Sequence, residues 1–182
     1  MYFHEPALRT DGEFENEQEA VACLHGIVEK FPEVFVLKSE VTGFYTQPRC
    51  NTENKTPRID AVLIPRKRLL DAGWTQGPIG IECKTSGKKI GPVIAQAQDY
   101  SRAMFELHPG RDVSLRWIFI WPLEDAKGDL ASIMTQNRIG SCKSTFRNPL
   151  EFWVAGTCAI RVDGHGGVSA KHLAMGNKRG SR

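Results

Sequence analysis

The chain has 182 residues, of which 41% are hydrophobic and 25% are charged, and its formal net charge is +3. This composition is typical of a globular domain with a sizeable core, and it excludes low-complexity and fibrous proteins. No apolar run is long enough to span a membrane and the amino terminus lacks a signal region, so we expect a cytoplasmic protein with no membrane partner. Five scattered cysteines without a C-x-x-C pair favour core thiols in a reducing compartment over a zinc site.

The first predicted element is a helix that begins after Asn16. Asn16 and Glu19 have the spacing of a capping box, and apolar residues then recur at helical intervals up to Phe31, which a proline follows. Glu17 extends the apolar stripe at its N-terminal end, where an acid ordinarily just complements the helix dipole. Glu13 and Glu19 are the alternatives to Glu17 for a functional acid on this segment, and Glu19 lies off the apolar face.

Three strand-like runs follow this helix. A polar loop over 43–57 separates the first two, and a connection over 65–78 with a basic cluster separates the second from the third. Because these strands are joined by loops, we expect them to be antiparallel. The runs are Val34–Val41, Arg58–Ile64 and Ile79–Lys84.

The next segment predicts a strand–helix–strand unit. After a turn over 87–91, apolar residues at spacings of three and four predict a helix over Val93–Leu107, and Leu115–Trp121 then reads as a buried central strand. A right-handed crossover of this kind makes the strands on either side of the helix parallel. Beyond it we expect a short helix over Asp129–Met134 and a hairpin of Leu150–Val162 with Val168–Leu173.

The third run, I-G-I-E-C-K-T, contains an acid and a lysine two residues apart. Successive side chains of a strand point to opposite faces, so Glu82 and Lys84 share one face. Burying both charges is costly unless they pair, bind a metal or perform chemistry. The second run carries one acid, Asp60, so that two neighbouring strands would gather two carboxylates and a cation. This is the arrangement of a divalent-metal phosphodiesterase site.

With these residues in this order, the chain resembles the PD-(D/E)xK nuclease superfamily, which has the restriction-endonuclease-like fold. Asp60 in R-I-D-A-V-L-I and Glu82-Cys83-Lys84 in I-G-I-E-C-K-T match its motif. Gln96 and Tyr100 match the Q-x-x-x-Y signature of the RecB-like and λ-exonuclease-like branch. The family's proline usually precedes the aspartate directly, whereas Pro57 lies three residues before it.

The resemblance implies an α+β fold: a four-stranded mixed sheet flanked by helices, followed by a C-terminal β-hairpin. We therefore expect one nuclease-like domain over 1–182, with its core at about 13–121, an elaboration over 122–173 and a basic tail over 174–182. An oligomer is compatible with the sequence, but no pattern in it indicates one.

The resemblance also implies Mg²⁺, with Mn²⁺ as a substitute, and DNA, duplex or single-stranded, as the partner. Mg²⁺ prefers hard oxygen ligands, which Asp60, Glu82 and the backbone carbonyl of Cys83 would supply. Lys84 would orient the attacking water and stabilise the transition state. Glu17 would ligate a second metal or hold a metal-bound water.

The expected contacts to nucleic acid come from the signature helix and from two basic clusters. The competing interpretation for Tyr100 is that it packs in the core. The competing interpretation for the two basic clusters is that they lie in solvated loops. A binding module of the same fold that no longer cuts and an RNA-cleaving nuclease are the alternative functions, and endonuclease and exonuclease remain equally open. The predicted contact residues are Gln96, Tyr100, Arg66, Lys67, Arg68, Lys88 and Lys89.

Overall fold

The computed structural model describes residues 14–46, 56–85 and 89–173. These residues form an α+β protein with four helices and a single mixed sheet of ten strands. The helices are α1 (Glu17–Val28), α2 (Lys67–Asp71), α3 (Ile90–Tyr100) and α4 (Gly128–Gln136). The strands are β1 (Phe35–Tyr45), β2 (Arg58–Pro65), β3 (Ile79–Cys83), β4 (Ala103–His108), β5 (Arg111–Ser114), β6 (Trp117–Trp121), β7 (Ile139–Lys143), β8 (Leu150–Val154), β9 (Thr157–Val162) and β10 (Val168–Ala170).

The strands follow the order β10-β9-β8-β7-β6-β3-β2-β1-β4-β5 across the sheet. The predicted antiparallel pairing of β1, β2 and β3 is confirmed, and so is the parallel pairing of β3 with β6 across α3. The expected number of four strands is wrong, because one sheet contains ten strands and includes the C-terminal hairpin. β7 pairs with β6 and continues the sheet into β8, β9 and β10.

Helices cover both faces of the sheet, and a hydrophobic cluster lies under each layer. α1 and Leu69 of α2 pack on the face that receives Ile79, Ile81 and Cys83 of β3. α3 and α4 pack on the opposite face. Because side chains alternate along β3, Gly80 and Glu82 are directed to the α3 face. The α3 layer therefore covers the acid of the central strand.

The first turn of α1 is capped as predicted. The Asn16 side chain accepts a hydrogen bond from the Glu19 amide at 2.8 Å, and the Glu19 carboxylate accepts one from the Glu15 amide at 2.9 Å. The indole of Trp121 donates to the Ala20 carbonyl at 3.2 Å. The N-terminal end of α1 is thereby fixed to the last residue of β6, beside the end of β3.

The helix predicted over Val93–Leu107 is too long. α3 spans Ile90–Tyr100, and 103–108 forms β4, which pairs with the end of β1. Met104 and Leu107 continue the helical spacing from Tyr100, whereas Ala103, Phe105 and Leu107 fit a two-residue period, so periodicity could not separate the two structures. The loop expected from residue 43 also begins with strand, since Gly43–Tyr45 pair with β4. Glycine is required at position 43 because a Cβ there would collide with the Met104 carbonyl.

Two further differences lie in the C-terminal third. β7 was not predicted because Ile139–Lys143 contains Gly140 and Ser141, which have low strand propensity. Gly140 is required there because a Cβ would fall 2.4 Å from the Phe119 ring. The strand predicted over Leu150–Val162 is two strands, with a two-residue turn at 155–156 in which both φ angles are positive. The short helix near 129–134 and the hairpin around 163–167 are confirmed.

Several predictions lie outside the described residues. They concern the whole segment before Phe14, which includes the alternative acid Glu13, the central part of the loop over 43–57, the first part of the turn over 87–91, Lys88, and the tail from residue 174. Among the described helices, none is both long and apolar enough to cross a bilayer.

Candidate metal and phosphodiester site

The candidate site lies at the C-terminal end of β3, where Glu82 and Lys84 project from the same face. Lys84 Nζ lies 2.8 Å from Glu82 Oε1 and 3.3 Å from Glu17 Oε1 at the start of α1. The Lys84 amide donates to the Trp121 carbonyl at 2.8 Å, which extends the β3–β6 ladder by one residue. The predicted association of Glu82 with Lys84 is therefore present, and α1 adds a second carboxylate to it.

Asp60 lies beside Glu82 on the neighbouring strand. β2 and β3 pair Ala61 with Ile81, and this register continued by one residue sets Asp60 opposite Glu82. Opposite residues of an antiparallel pair project from the same face with Cβ atoms about 5 Å apart. Asp60 Oδ2 also accepts a hydrogen bond from the Cys83 amide at 2.7 Å. The two carboxylates predicted to share a metal are thus neighbours.

The carboxylate of Glu82 is incompletely satisfied. Its residue is only 1% exposed, and its Oε1 receives Lys84, whereas its Oε2 has no hydrogen-bond partner within the described part of the chain. Burial, followed by the negative charge of Asp60, raises the pKa of Glu82 to about 7 despite the nearby ammonium. Burial also raises the pKa of Asp60, although the Cys83 amide and Lys84 oppose this. A divalent cation would supply the missing partner and favour both charged forms.

Lys84 keeps its proton at neutral pH. Burial lowers the pKa of Lys84, but the hydrogen bond to Glu82 and the charges of the surrounding carboxylates outweigh burial, so that the pKa is raised overall. Lys84 is therefore suited to stabilise negative charge and unsuited to accept a proton. Of its three N–H donors, two are directed at Glu82 and Glu17, which leaves one for a further oxygen.

Glu17 does not join Asp60 and Glu82 in a preformed set of ligands. Among residues 14–46, 56–85 and 89–173, no three acidic, histidine or cysteine side chains converge closely enough to hold one ion. Glu17 instead forms an ion pair with Lys84, whose ammonium also contacts Glu82. The two strand acids therefore remain the candidate ligands, and Glu17, expected to ligate a second metal or to hold a metal-bound water, contacts the lysine.

Cys83 contributes its backbone to the site, while its thiol belongs to the core. The side chain packs in the cluster under α1, on the opposite face from Glu82. Burial, followed by the charges of Asp60 and Glu82, raises the pKa of the Cys83 thiol well above its usual range, so it is not a nucleophile. The Cys83 amide donates to the Asp60 carboxylate, and the Cys83 carbonyl belongs to the strand segment that carries Glu82 and Lys84.

Gln96 and Tyr100 lie on α3, above the strand that carries Asp60. The Tyr100 hydroxyl donates to the Arg58 carbonyl at 2.6 Å and accepts from Gln96 Nε2 at 2.7 Å. Its ring packs edge-on against Phe105. The pair is therefore near the site, as the signature implies, but the tyrosine is turned into the protein. The sequence could not reveal Arg58 as its acceptor, because any residue supplies a backbone carbonyl.

The first basic cluster lies far from the candidate site. Arg66–Arg68 follow the end of β2, and five residues at a strand rise of 3.3 Å place this end about 17 Å from Asp60. Lys67 forms an ion pair with Asp71, and Arg68 forms one with Glu33. The expectation that this cluster flanks the acids is wrong, because β2 runs antiparallel to β3 and carries the cluster to the opposite end. Lys89, in contrast, is exposed at the start of α3, shortly after Lys84.

Comparisons with protein-family models, with curated proteins and with solved structures found no match for this chain.

Proposed function

We propose that this protein is a Mg²⁺-dependent nuclease with a restriction-endonuclease-like core, which hydrolyses phosphodiester bonds of DNA. One observation carries the proposal: the buried Glu82, one of whose oxygens has no partner among the described residues, lies beside the half-buried Asp60 and the charged Lys84. Such a group is costly unless a ligand satisfies it. The order α1, β1, β2, β3, α3 and β6, with the short α2 and the strands β4 and β5 inserted, and the parallel pairing of β3 with β6 support the resemblance of the core to this superfamily.

In this proposal Asp60 and Glu82 hold the cation, with the Cys83 carbonyl as a further oxygen ligand. When bound there, the cation would supply a lowered pKa for a coordinated water and would neutralise charge on the phosphate. Lys84 remains protonated and presents its free donor to the oxygens that gain charge in the transition state. Glu17 holds Lys84 from the other side and limits its rotamers.

Two lysines that follow the site closely in the sequence give the nucleic acid its route of approach. Lys89 is exposed at the start of α3, and Lys88 immediately precedes it in the sequence. We assign phosphate contacts to this pair. The Arg66–Arg68 cluster at the opposite end of β2 is available only to a nucleic acid that extends well beyond the scissile bond.

The ion pairs of Lys84 favour one competing function. A lysine held between two carboxylates could serve only to neutralise them, and the protein would then be a nucleic-acid-binding module that does not cut. The two functions differ in the expected effect of Lys84→Ala, which abolishes turnover of a nuclease and affects only the stability of a binding module.

The deciding experiment incubates the purified protein with linear duplex DNA, circular duplex DNA, single-stranded DNA and RNA. We expect cleavage of at least one DNA substrate in Mg²⁺ or Mn²⁺, and none in EDTA or with Glu82→Gln. Cleavage of the circle identifies an endonuclease, and cleavage restricted to linear ends identifies an exonuclease. Binding of DNA without cleavage under every metal condition contradicts the proposal and favours the binding module, and cleavage of RNA alone favours a ribonuclease.

A further inference from the structure

We propose that Gln96 and Tyr100 are positioning residues that fix the strand carrying Asp60, and that they do not contact nucleic acid. This inference rests on the proposed function, because it assigns the pair a role in holding a metal ligand. The Q-x-x-x-Y pattern by itself implies a place beside the nucleic acid, whereas the hydrogen bonds of this chain direct both residues inward.

The hydroxyl of Tyr100 is fully engaged within the protein. Tyr100 is 6% exposed, its only O–H donates to the Arg58 carbonyl, and it accepts from Gln96. A contact to phosphate would require breaking the bond to Arg58. Burial, followed by the charge of Glu82, raises the pKa of Tyr100 above its usual value, so the hydroxyl remains a donor across the physiological range.

The acceptor of this bond lies two residues before Asp60 on the same strand. The Arg58 side chain forms an ion pair with Glu40 on β1, and the preceding Pro57 carbonyl accepts from the Gly43 amide at 2.8 Å. β1 therefore fixes one edge of this strand segment, and α3 fixes it from above through Tyr100. Loss of the α3 bond would release the backbone that sets the position of the Asp60 carboxylate.

Removing a residue that orients a metal ligand without touching the metal typically lowers metal affinity or activity by about 10- to 100-fold. Tyr100→Phe removes only the hydroxyl and keeps the buried ring. We expect this variant to bind Mn²⁺ about tenfold more weakly and to bind DNA in EDTA within about twofold of the wild type. Gln96→Ala should have the same pattern with a smaller effect, because it removes a bond to the tyrosine and none to β2.

The experiment measures three quantities: Mn²⁺ binding by calorimetry, DNA binding in EDTA, and amide hydrogen exchange across Arg58–Leu63. Gln98→Ala on the same helix is the matched control. Faster exchange in β2 together with weaker Mn²⁺ binding in Tyr100→Phe is the expected result. Weaker DNA binding with unchanged exchange would overturn the inference, because it indicates direct contact. A wild type that binds no Mn²⁺ would contradict the proposed function, while the exchange data would still decide whether Tyr100 holds the strand.

A separate observation concerns the loop between β7 and β8, which presents an aromatic side chain to solvent. Phe146 is 96% exposed. The Thr145 amide donates to the Asn148 carbonyl at 2.9 Å, and the Asn148 amide donates to Thr145 Oγ1 at 3.1 Å. The Gly164 amide in the turn between β9 and β10 donates to the Arg147 carbonyl at 3.2 Å. The loop is thus a closed turn whose backbone is fixed around an exposed ring.

We infer that Phe146 stacks on an unpaired base of a nucleic acid, with the adjacent Arg147 on the phosphate backbone. Arg147 is exposed and forms no ion pair with any described residue, and no acid occurs between Ser141 and Leu150. An aromatic ring beside a free cation is the composition of surfaces that bind single strands. Strand spacing and chain reach place Phe146 within roughly 25 Å of Glu82, so one bound strand can contact both. This inference also rests on the proposed function.

The test measures binding of labelled oligo-dT and of a duplex in EDTA to the wild type and to Phe146→Ala. Base stacking is worth about 1–3 kcal/mol, so we expect oligo-dT binding to weaken at least about fivefold and duplex binding to change less. Leu70→Ala, which removes another exposed apolar side chain, is the control and should bind normally. Equal binding by wild type and Phe146→Ala would overturn the inference while leaving the proposed function intact. A wild type that binds no nucleic acid would contradict both, and a shift of Phe146→Ala from dimer to monomer in sedimentation would identify a second copy as the occupant.

Discussion

Two buried glutamates on the same sheet have opposite environments. Glu151 on β8 is 5% exposed, and both of its oxygens are satisfied, Oε1 by Asn148 at 2.6 Å and Oε2 by the Trp153 indole at 2.9 Å. Arg161 on β9 lies 3.5 Å from the same carboxylate. Glu82 on β3 is buried at least as deeply, but one of its oxygens has no partner among the described residues, and a second acid lies beside it.

We interpret this difference as the one between a structural acid and an acid that binds a ligand. Where a buried carboxylate serves only the fold, its hydrogen-bonding capacity is filled by neighbouring side chains, as at Glu151. At Glu82 the fold leaves one oxygen open and adds negative charge from Asp60, which destabilises the protein without metal. The predictions below test whether the two glutamates differ in this way.

Lys84→Ala should have the largest effect. Cleavage should fall at least about a hundredfold, which is the typical loss when one preorganised transition-state donor is removed. The fold should persist, because Glu82 can take up a proton when its partner is lost, given its pKa of about 7. Single-turnover cleavage, thermal melting and DNA binding are measured together. Lys143→Ala, which removes a half-buried lysine paired with Glu124, is the control and should cut normally. A folded Lys84→Ala variant with near wild-type cleavage would remove the lysine from the mechanism.

The stability of the metal-free protein should depend on pH through Glu82. The folded protein holds a proton on Glu82 up to about pH 7, whereas a glutamate in the unfolded chain loses it near 4.5. The folded state therefore binds more protons between these values, and the free energy of unfolding should fall by about 2 kcal/mol as the pH rises from 5 to 7.5. Denaturant unfolding at a series of pH values in EDTA measures this. Glu82→Gln should flatten the profile, and a profile that keeps its full slope in this variant would show that another group is responsible.

Glu151→Gln should lower the free energy of unfolding by about 1–2 kcal/mol at every pH in this range. The substitution weakens the charge-assisted bonds that Glu151 receives from Asn148, Trp153 and Arg161. Both oxygens of Glu151 are already hydrogen-bonded, so no new bond can compensate for this loss. Thermal and denaturant unfolding beside Glu82→Gln provide the comparison. If Glu82→Gln destabilised the metal-free protein at pH 8 as much as Glu151→Gln does, the two acids would be equivalent and the comparison would fail.

Glu17→Gln should have the smallest effect, a loss of less than about tenfold in cleavage rate. Glu17 contacts Lys84 at 3.3 Å and is one-third exposed, so it orients the lysine without being its main partner. Glu19→Gln in the same helical turn is the control, because Glu19 accepts from the Glu15 backbone. Complete loss of metal binding in Glu17→Gln would instead make Glu17 a ligand.

The part of the site that the sequence predicts well is local to β3. The two-residue spacing of Glu82 and Lys84 and their position on an apolar strand establish a shared face, and antiparallel pairing then brings Asp60 alongside. The role of Tyr100 was not predictable, because its acceptor is a backbone carbonyl. The position of Arg66–Arg68 was also misjudged, because closeness in sequence to β2 says nothing about which end of the sheet a cluster occupies.

The same limits applied to the prediction of the fold. Clear periodicity predicted β2, β3, β6 and α1. The structure of β7 depends on its neighbours, because Gly140 leaves room for the ring of Phe119 and because pairing with β6 overrides the low strand propensity of the segment. β4 was assigned to a helix because its apolar spacing fits both periods. Local pattern thus identified the elements whose own residues determine their structure, and it missed those determined by tertiary contacts.

The central claim is that Glu82 is buried with an open oxygen in order to hold a divalent cation together with Asp60. Calorimetric titration of Mn²⁺ at pH 7 into wild type, Glu82→Gln and Glu151→Gln tests it most directly, with each titration repeated in two buffers of different ionisation enthalpy. We expect one site in the wild type, release of a fraction of a proton on binding, an unchanged site in Glu151→Gln and no site in Glu82→Gln. Equal Mn²⁺ affinity and no proton release in wild type and Glu82→Gln would contradict the claim.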